Sequence, residues 1–322
     1  MALITQDIAA VAAALRQGEL AAIPTETVYG LAGNALNAEA VAGIFDAKRR
    51  PSFDPLIMHL PNADAVTGYV VDFPARLRNL ADALWPGPLT LLLPRQNIVP
   101  DLVTSGLERV AVRVPAHPMA ASLLEQLDFP LAAPSANPFG YISPTTAEHV
   151  QAQLGERIDW ILDGGAAPVG IESTIVGMED GSPMIYRLGG VAVDQIEALI
   201  GPVTVKAHSS SRPAAPGLLE QHYAPATRFI LGDRAALVSK MLEKDHRVGV
   251  LNFDTPVEGI DLGLQRVLSP TADLREAASN LFAALRELDS FALDVIVAER
   301  VPAAGLGLAI NDRLQRAAAR AP

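Results

Sequence analysis

The chain has 322 residues, of which 50% are hydrophobic and 19% are charged, and its formal net charge is −11. This composition is typical of a soluble globular protein with two domains, and it argues against a broad nucleic-acid-binding surface, which needs clustered cations. The chain has no cysteine, which excludes disulfides, thiolate nucleophiles and cysteine-ligated metal sites.

The first residues and the hydropathy pattern bear on where the protein works. Residues 1–8 lack the basic start and apolar core of a signal peptide. No stretch approaches the ~18–20 uninterrupted apolar residues of a membrane helix. We therefore expect a cytoplasmic protein with no membrane contact.

Residues 1–203 alternate between helical and strand-like patterns. Apolar residues at helical spacing predict helices near 8–15, after the N-cap residue Asn37, and near 77–84. Short apolar or alternating runs predict strands at 21–23, 55–60, 89–93, 109–114, 158–162, 173–176 and 184–188. This mixture predicts an α/β sheet domain, in which the strand order is not readable.

Residues 204–226 are rich in serine and proline and predict a linker. Beyond the linker, we predict buried strands at 228–231, 248–251 and 293–298 and helices near 233–243 and 273–289. This order of strands and helices predicts a small Rossmann-like domain over 227–322.

A basic triplet, Lys48, Arg49 and Arg50, ends the second predicted helix. Lysine and arginine at one point can bind the phosphates of a nucleotide, lysine as a point charge and arginine as a bidentate fork. The alternative is a solvated helix end whose cations complement the helix dipole. The triplet by itself leaves both interpretations open.

A polar segment, Ser135 to Asn137, ends another predicted strand, and Ser143 follows it as a predicted helix N-cap with Pro144 as first helical residue. A helix start of this kind offers free N–H groups to an anion. An equally good interpretation is that Ser143 only caps its helix and that Ser135 to Asn137 form a polar turn without a ligand.

Arg109 and Arg113 share one face of an alternating strand, opposite three valines. Their Cα atoms are expected to be ~13 Å apart, so the two arginines could bind opposite ends of a long ligand. The alternative is that this face of the strand lies at the protein surface and binds nothing.

His59 closes an apolar strand, where a histidine is more often a core or edge residue than a catalyst. No two histidines have metal-ligand spacing, so we predict no metal site formed by protein side chains.

Taken together, these segments resemble the threonylcarbamoyl-AMP synthase family, or YrdC-domain family, in its long two-domain form. The order of many short motifs over nearly the whole chain carries the resemblance. They are Pro24 to Gly30, Lys48-x-Arg50-Pro51, Pro55 to His59, Trp85 to Thr90, Val110 to Pro118, Pro134 to Asn137, Ser143 to Thr146, Glu172 to Ile175, Pro216-Gly217, His222 to Pro225, and Gly305 to Asn311.

The resemblance implies a twisted mixed α/β sheet with a concave, positively lined cavity, followed by the Rossmann-like domain. It also implies a reaction in which L-threonine, bicarbonate or CO2, and ATP give L-threonylcarbamoyl-AMP and pyrophosphate. A separate transferase then uses this product to modify adenosine 37 of tRNA. The partners expected are these substrates and that transferase complex, with at most weak RNA binding.

Site residues follow from the resemblance position by position. Those implied to hold threonine are Thr25, His59, Arg113, Ala133 through its backbone, and Ser173. Those implied to hold ATP are Lys48, Arg50, Ser52, Arg109, Ser135, Asn137, Ser143 and Arg187. Of these, Lys48 and Arg50 are the residues expected to act in catalysis, because they and a Mg²⁺ ion that arrives with ATP would stabilise the departing pyrophosphate.

The linker is implied to act as a lid over the cavity, through Glu220, His222 and Tyr223. Here the chain departs from the family, because Leu218 to Gln221 stand where an aromatic and basic residues are usual. Asp54 likewise stands where asparagine is common. We therefore expect the lid to close more loosely in this protein.

Two other functions are compatible with parts of this pattern. A non-catalytic binder of double-stranded RNA or tRNA could use a basic concave cavity, although the acidic total charge argues against it. A carbamoyl-adenylate-forming enzyme of hydrogenase maturation would share the chemistry. That family carries cysteine zinc fingers and an acylphosphatase region, which are missing here.

Overall fold

Two β-sheets, one large and one small, organise the protein in a computed structural model that describes residues 1–206, 215–216 and 223–319. The strands are β1 (Leu3–Thr5), β2 (Ala21–Ile23), β3 (Gly30–Asn34), β4 (Ile57–His59), β5 (Leu89–Pro94), β6 (Arg109–Arg113), β7 (Leu131–Ala132), β8 (Trp160–Leu162), β9 (Thr174–Glu179), β10 (Ser182–Arg187), β11 (Thr204–Val205), β12 (Arg228–Leu231), β13 (Val248–Asn252), β14 (Gln265–Val267) and β15 (Val295–Ala298). The α-helices are α1 (Ile8–Arg16), α2 (Ala38–Lys48), α3 (Ala75–Leu84), α4 (Asp101–Thr104), α5 (Pro118–Gln126), α6 (Ala147–Leu154), α7 (Val193–Ile200), α8 (Arg234–Leu242), α9 (Leu274–Asp289) and α10 (Gly307–Ala318). Short 3₁₀ helices span Asp64–Gly68 and Leu262–Leu264.

The large sheet has the strand order β1-β8-β2-β3-β7-β4-β6-β5-β9-β10-β11. Its pairs are mixed: β4 and β6 are parallel, for example, whereas β5 and β6 are antiparallel. The small sheet has the order β12-β15-β13-β14, and its pairs are all parallel. The predicted fold class, a mixed α/β sheet followed by a small parallel α/β unit, is confirmed.

Strand β6 shows how the sequence places side chains around the sheet. Val110 and Val112 are almost completely buried in the main hydrophobic core, and Ala111 packs in a different cluster. The alternation is therefore as predicted, because successive side chains of a strand point to opposite faces. Arg113 lies on the face opposite the valines, where the cavity described below is found.

One predicted helix start is wrong. Helix α6 begins at Ala147, and its N-cap is Thr146, whose hydroxyl accepts a hydrogen bond from the His149 N–H at 3.3 Å. Residues 143–145 are not helical, because their carbonyls serve other segments: the Pro144 carbonyl accepts from the Tyr29 N–H and that of Thr145 from the Ala167 N–H, both at 2.9 Å. Ser143 is thus not the N-cap of α6.

The two sheets share a hydrophobic core. Val28, Ile142 and Ile171 belong to the region of the large sheet (residues 1–205, the first sheet region). They are buried in the same cluster as Leu281 and Phe282 of α9, in the region of the small sheet (residues 228–319, the second sheet region). Helix α9 is therefore packed through apolar side chains against loops of the first sheet region. No helix in the described ranges is long and apolar enough to cross a membrane.

Candidate functional site

A small cavity lies at the ends of several strands of the large sheet, next to the second sheet region. It is lined by Thr25, Thr27, Val28, Gly30, Arg50, Pro55, Ile57, His59, Arg113, Ala133, Pro134, Ser135, Glu172, Ser173, Arg187, Pro216 and Tyr223. Every residue expected to hold threonine is in this lining, together with three of those expected to hold ATP: Arg50, Ser135 and Arg187. The cavity volume is about 50 Å³, below the ~300–1,000 Å³ of ligand pockets. A nucleotide therefore requires the lining segments to move apart.

Arg113 is held rigidly in the cavity wall. Its Nη2 lies 2.6 Å from Oε1 of Glu26, and both side chains are buried. Its Nη1 donates to the Thr27 hydroxyl at 2.8 Å, and its Nε to the Gly87 carbonyl at 3.3 Å. The Glu26 contact is not predicted from the sequence, since it depends on how β6 meets the turn after β2.

The Thr25 hydroxyl organises that turn. Thr25 Oγ1 donates to the Val28 carbonyl at 2.6 Å and lies 2.8 Å from the Thr27 hydroxyl. It also accepts hydrogen bonds from the backbone N–H groups of Thr27 and Val28 at 3.2 and 3.3 Å. A threonine at this position fixes its own backbone, as serine and threonine turns do, and places Oγ1 in the cavity wall.

His59 ends β4 and is buried beside the same cavity. Burial and the nearby Arg113 charge lower the pKa of His59 to about 3. The imidazole is therefore neutral at physiological pH, and its Nδ1 has no hydrogen-bond partner among the described residues. A neutral imidazole with an open nitrogen can accept a hydrogen bond from, or donate one to, a polar ligand.

Ser173 and Arg187 are joined across neighbouring strands. Arg187 donates to the Ser173 carbonyl through Nε at 3.1 Å and Nη2 at 3.0 Å, and to its hydroxyl at 3.0 Å. The Ser173 hydroxyl is also 2.7 Å from that of Thr90. Burial lowers the pKa of Arg187 to about 10, so the side chain stays cationic.

Lys48 and Arg50 are buried, so the interpretation as a solvated helix end is wrong for both. Arg49, between them, is exposed and takes a left-handed backbone conformation with φ of 51°. Arg50 lines the cavity, where its Nη2 lies 2.9 Å from the buried Asp54 carboxylate and donates to the Pro55 carbonyl at 2.8 Å. Its guanidinium therefore has an acidic neighbour before any phosphate arrives.

The Lys48 ammonium donates to the backbone carbonyls of Ser135 and Asn137 and is not part of the cavity lining. Burial, followed by the charge of Arg50, lowers the pKa of Lys48 well below its ordinary value. In this conformation Lys48 anchors the 135–137 segment, and a direct phosphate contact requires Nζ to leave these carbonyls.

Besides Lys48, four of the residues expected to bind ATP lie outside the lining. Ser52 is exposed, and the Arg109 guanidinium donates to the Met178 carbonyl and the Tyr186 hydroxyl at 3.1 and 2.8 Å. Asn137 uses its side-chain amide for the Tyr141 carbonyl at 2.9 Å. The fourth, Ser143, is buried and donates from Oγ to Oε1 of Glu172 at 2.5 Å.

Of the expected lid residues, Glu220 and His222 lie outside the described ranges, and Tyr223 lines the cavity. The Tyr223 ring stacks on Phe282 of α9, with centroids 5.5 Å apart. The guanidinium carbons of Arg313 and Arg316 in α10 lie 5.0 and 4.8 Å from the ring centroid. This tyrosine is thus held between two helices of the second sheet region.

Glu172 is a lining residue that sequence reasoning did not assign. Burial by itself would raise the pKa of Glu172, but Arg313, Arg187 and the Ser143 hydroxyl lower it below the ordinary value. The available signal was its place in the Glu172 to Ile175 motif. Nothing in the sequence pointed to Arg313, which is 141 residues away.

Among the residues that the structure describes, the cavity lining contains three arginines and one carboxylate, that of Glu172. Within the described ranges, no group of three or more histidine, aspartate or glutamate side chains is placed to hold a metal ion. Arginines 50, 113 and 187 line one cavity together with threonine and serine hydroxyls. Such a set suits binding of carboxylate and phosphate groups by charge-assisted hydrogen bonds.

Comparisons with known proteins show which sequences and structures this chain resembles. A family model for Sua5, YciO and YrdC, described as "Telomere recombination", matches residues 13–189, and the model "Threonylcarbamoyl-AMP synthase, C-terminal domain" matches residues 191–319. The threonylcarbamoyl-AMP synthase of Pyrococcus abyssi is 41% identical over 94% of this chain and 91% of its own length. That of Bacillus subtilis is 40% identical over 97% and 92%. The crystal structure of P. abyssi Sua5 complexed with L-threonine superposes with a TM-score of 0.92 at 38% identity, covering 99% of this chain and 97% of that one.

Proposed function

The chain belongs to the threonylcarbamoyl-AMP synthase family, and we propose that it converts L-threonine, bicarbonate or CO2, and ATP into L-threonylcarbamoyl-AMP and pyrophosphate. The observation that carries this proposal is that one cavity brings together Thr25, His59, Arg113, Ala133 and Ser173 with the arginines expected to face the nucleotide. A separate transferase then uses the product to modify adenosine 37 of tRNA.

The threonine half of the reaction needs a carboxylate anchor and neutral polar groups. Arg113 supplies the anchor, and its position is fixed by Glu26, Thr27 and Gly87. The neutral His59 and the Ser173 hydroxyl offer hydrogen bonds to the amine or hydroxyl of threonine without adding charge. A carbamate forms on an unprotonated amine, and an enclosed site limits its loss to water.

The nucleotide half needs cations near the phosphates. Arg50 and Arg187 line the cavity and are fixed by backbone carbonyls, so they are preorganised for charge that develops on the leaving pyrophosphate. Lys48 contributes by holding the 135–137 segment in place. Its ammonium contacts a phosphate directly only after it leaves the carbonyls of that segment. No side-chain nucleophile takes part, because the carbamate oxygen attacks the α-phosphorus and the bond to pyrophosphate breaks.

Opening of the cavity is part of the proposal. Pro216 and Tyr223, two described residues of the predicted linker, both line it. We infer that these residues withdraw to admit ATP and return to cover the reactive product, as lids do in other enzymes. Mg²⁺ enters with ATP as part of the substrate, bound through its phosphates. The expected working place is the cytoplasm, where tRNA and the downstream transferase are found.

An assay of pyrophosphate release from ATP tests this function. Release should depend on both L-threonine and bicarbonate, and L-serine should replace L-threonine only partly, because the lost methyl contact is worth ~1 kcal/mol. ATP turnover that ignores threonine would contradict the proposal. Salt-sensitive RNA binding without any threonine-dependent turnover would instead favour the RNA-binding alternative.

A further inference from the structure

Arg313 of the second sheet region reaches into the wall of the cavity. Its Nε and Nη2 lie 3.1 and 3.0 Å from Oε2 of Glu172, and its Nη1 donates to the Leu188 carbonyl at 2.8 Å. The Arg313 side chain is 0% exposed. A fully buried guanidinium that holds one carboxylate oxygen through two nitrogens fixes the position of that carboxylate.

The carboxylate of Glu172 passes this constraint on to Ser143. Its other oxygen, Oε1, accepts a hydrogen bond from the Ser143 hydroxyl at 2.5 Å. Ser143 is completely buried and does not line the cavity, whereas Glu172 does. The arginine, the glutamate and the serine thus form one chain of polar contacts from α10 to the segment before α6.

A second arginine holds the backbone of the same segment. Arg286 of α9 donates from Nε to the Ser143 carbonyl at 3.2 Å, and from Nη2 to the Ile142 carbonyl and to the Gln153 side chain. The Ser143–Glu172 hydrogen bond is therefore fixed at both ends by arginines from the second sheet region, one from α9 and one from α10.

We propose that Arg313 is a positioning residue for ATP: through Glu172 it orients Ser143 and the adjoining cavity wall for the nucleotide. This inference rests on the proposed function, because only the family resemblance assigns Ser143 to the nucleotide. It gives the second sheet region a part in substrate binding that is distinct from covering the cavity.

A purely structural role for the buried pair makes a different prediction. In that case loss of Arg313 lowers the free energy of unfolding and the amount of active enzyme, but leaves the KM values of the remaining enzyme unchanged. A positioning role raises the KM for ATP while the KM for L-threonine stays nearly constant. The two roles are separated by measuring both KM values in the full chain.

The test compares Arg313→Met with wild type in the pyrophosphate assay, with Arg234→Met as the matched control. Arg234 pairs with Glu299 at 3.2 Å and with Asn252, inside the second sheet region. We expect Arg313→Met to raise the KM for ATP about tenfold, because the Glu172 carboxylate and the Ser143 hydroxyl lose the guanidinium that holds them in place. The KM for L-threonine should change less than about twofold, and Arg234→Met should leave both values unchanged.

Coupling to Ser143 provides the second readout. Ser143→Ala should itself raise the KM for ATP, and the double variant Arg313→Met/Ser143→Ala should be no worse than the poorer single variant, since both changes break one chain of contacts. Fully additive effects, or an unchanged KM for ATP in folded Arg313→Met, would overturn the inference.

Folding can fail in Arg313→Met, because the buried carboxylates of Glu172 and Asp312 both lose their contact with the guanidinium. The double variant Glu172→Gln/Arg313→Met removes both charges of the Arg313–Glu172 pair, while Asp312 keeps its contact with Arg316. In that variant a raised KM for ATP supports the positioning role, and a wild-type value refutes it. Wild-type enzyme without threonine-dependent pyrophosphate release would contradict the proposed function instead, so the two failures are distinguishable.

Discussion

Arg113 and Glu26 form a buried ion pair in the wall of the cavity, with Nη2 and Oε1 2.6 Å apart. The arginine expected to bind the threonine carboxylate is therefore already neutralised by a carboxylate of the protein. The pair holds Arg113 in place and at the same time weakens its attraction for a second carboxylate. The ion pair therefore improves the placement of Arg113 but reduces the net positive charge that the threonine carboxylate would meet.

Substitution of Glu26 separates these two effects. We expect Glu26→Gln to lower the Kd for L-threonine about threefold to tenfold, because the competing negative charge is gone. The free energy of unfolding should fall by about 3 kcal/mol, since the Arg113 charge is left buried without its partner. Calorimetric titration with L-threonine and urea unfolding measure the two quantities. Glu108→Gln, at an exposed position, is the matched control, and an unchanged or weaker threonine affinity in Glu26→Gln would contradict the prediction.

Asp54 has the same relation to Arg50. The carboxylate is completely buried, 2.9 Å from the guanidinium. We expect Asp54→Asn to lower the KM for ATP by about threefold to tenfold, because Arg50 then meets the phosphates with its full charge. Steady-state kinetics with Asp46→Asn, at an exposed position, as the control would check this. A higher KM for ATP would indicate that the carboxylate is needed to orient Arg50.

Substitution of Arg50 should lower catalysis, whereas substitution of Lys48 should lower both activity and stability. Arg50→Met deletes a cation of the cavity lining, and we expect kcat to fall about a hundredfold, the scale of losing a group that stabilises developing charge. Lys48→Met should lower activity and also the free energy of unfolding by about 2 kcal/mol, since the buried Asn137 carbonyl loses its Lys48 donor and the half-buried Ser135 carbonyl keeps only the Asn137 N–H. Kinetics and urea unfolding of both variants give the comparison. Equal stability of Lys48→Met and wild type would argue against its anchoring of the 135–137 segment.

The buried His59 makes stability depend on pH. Its pKa is lowered to about 3 in the folded protein from 6.5 in the unfolded chain. Between these values the unfolded chain binds a proton that the folded protein does not. Stability from this residue is therefore complete above pH 6.5 and is lost as pH falls toward 3, with a slope of about 1.4 kcal/mol per pH unit.

His59→Gln should remove that slope. Urea unfolding of wild type and variant between pH 4.5 and 7.5 measures it, and His149, whose pKa burial lowers to about 4, keeps its own contribution in both proteins. Parallel stability curves for the two proteins over this range would show that His59 is not held neutral in the fold.

Local sequence patterns predicted the elements that depend on neighbours in the chain. Asn37 caps α2 as expected, accepting hydrogen bonds from the Glu39 and Ala40 N–H groups. The alternation of β6 likewise followed from its valines. Ser143 shows the limit of such reasoning: serine before proline is a good helix start, but the Pro144 carbonyl is used by Tyr29, which is remote in sequence.

The sequence by itself determined the fold class, the set of polar residues available and the family, because period-two and helical spacings and the order of motifs are properties of the chain alone. Only the tertiary structure decided which of these side chains share a cavity, that Glu26 and Asp54 neutralise two of its arginines, and that Arg313 holds Glu172. Charges on distant segments interact only after folding brings them within a few ångströms and removes the water between them.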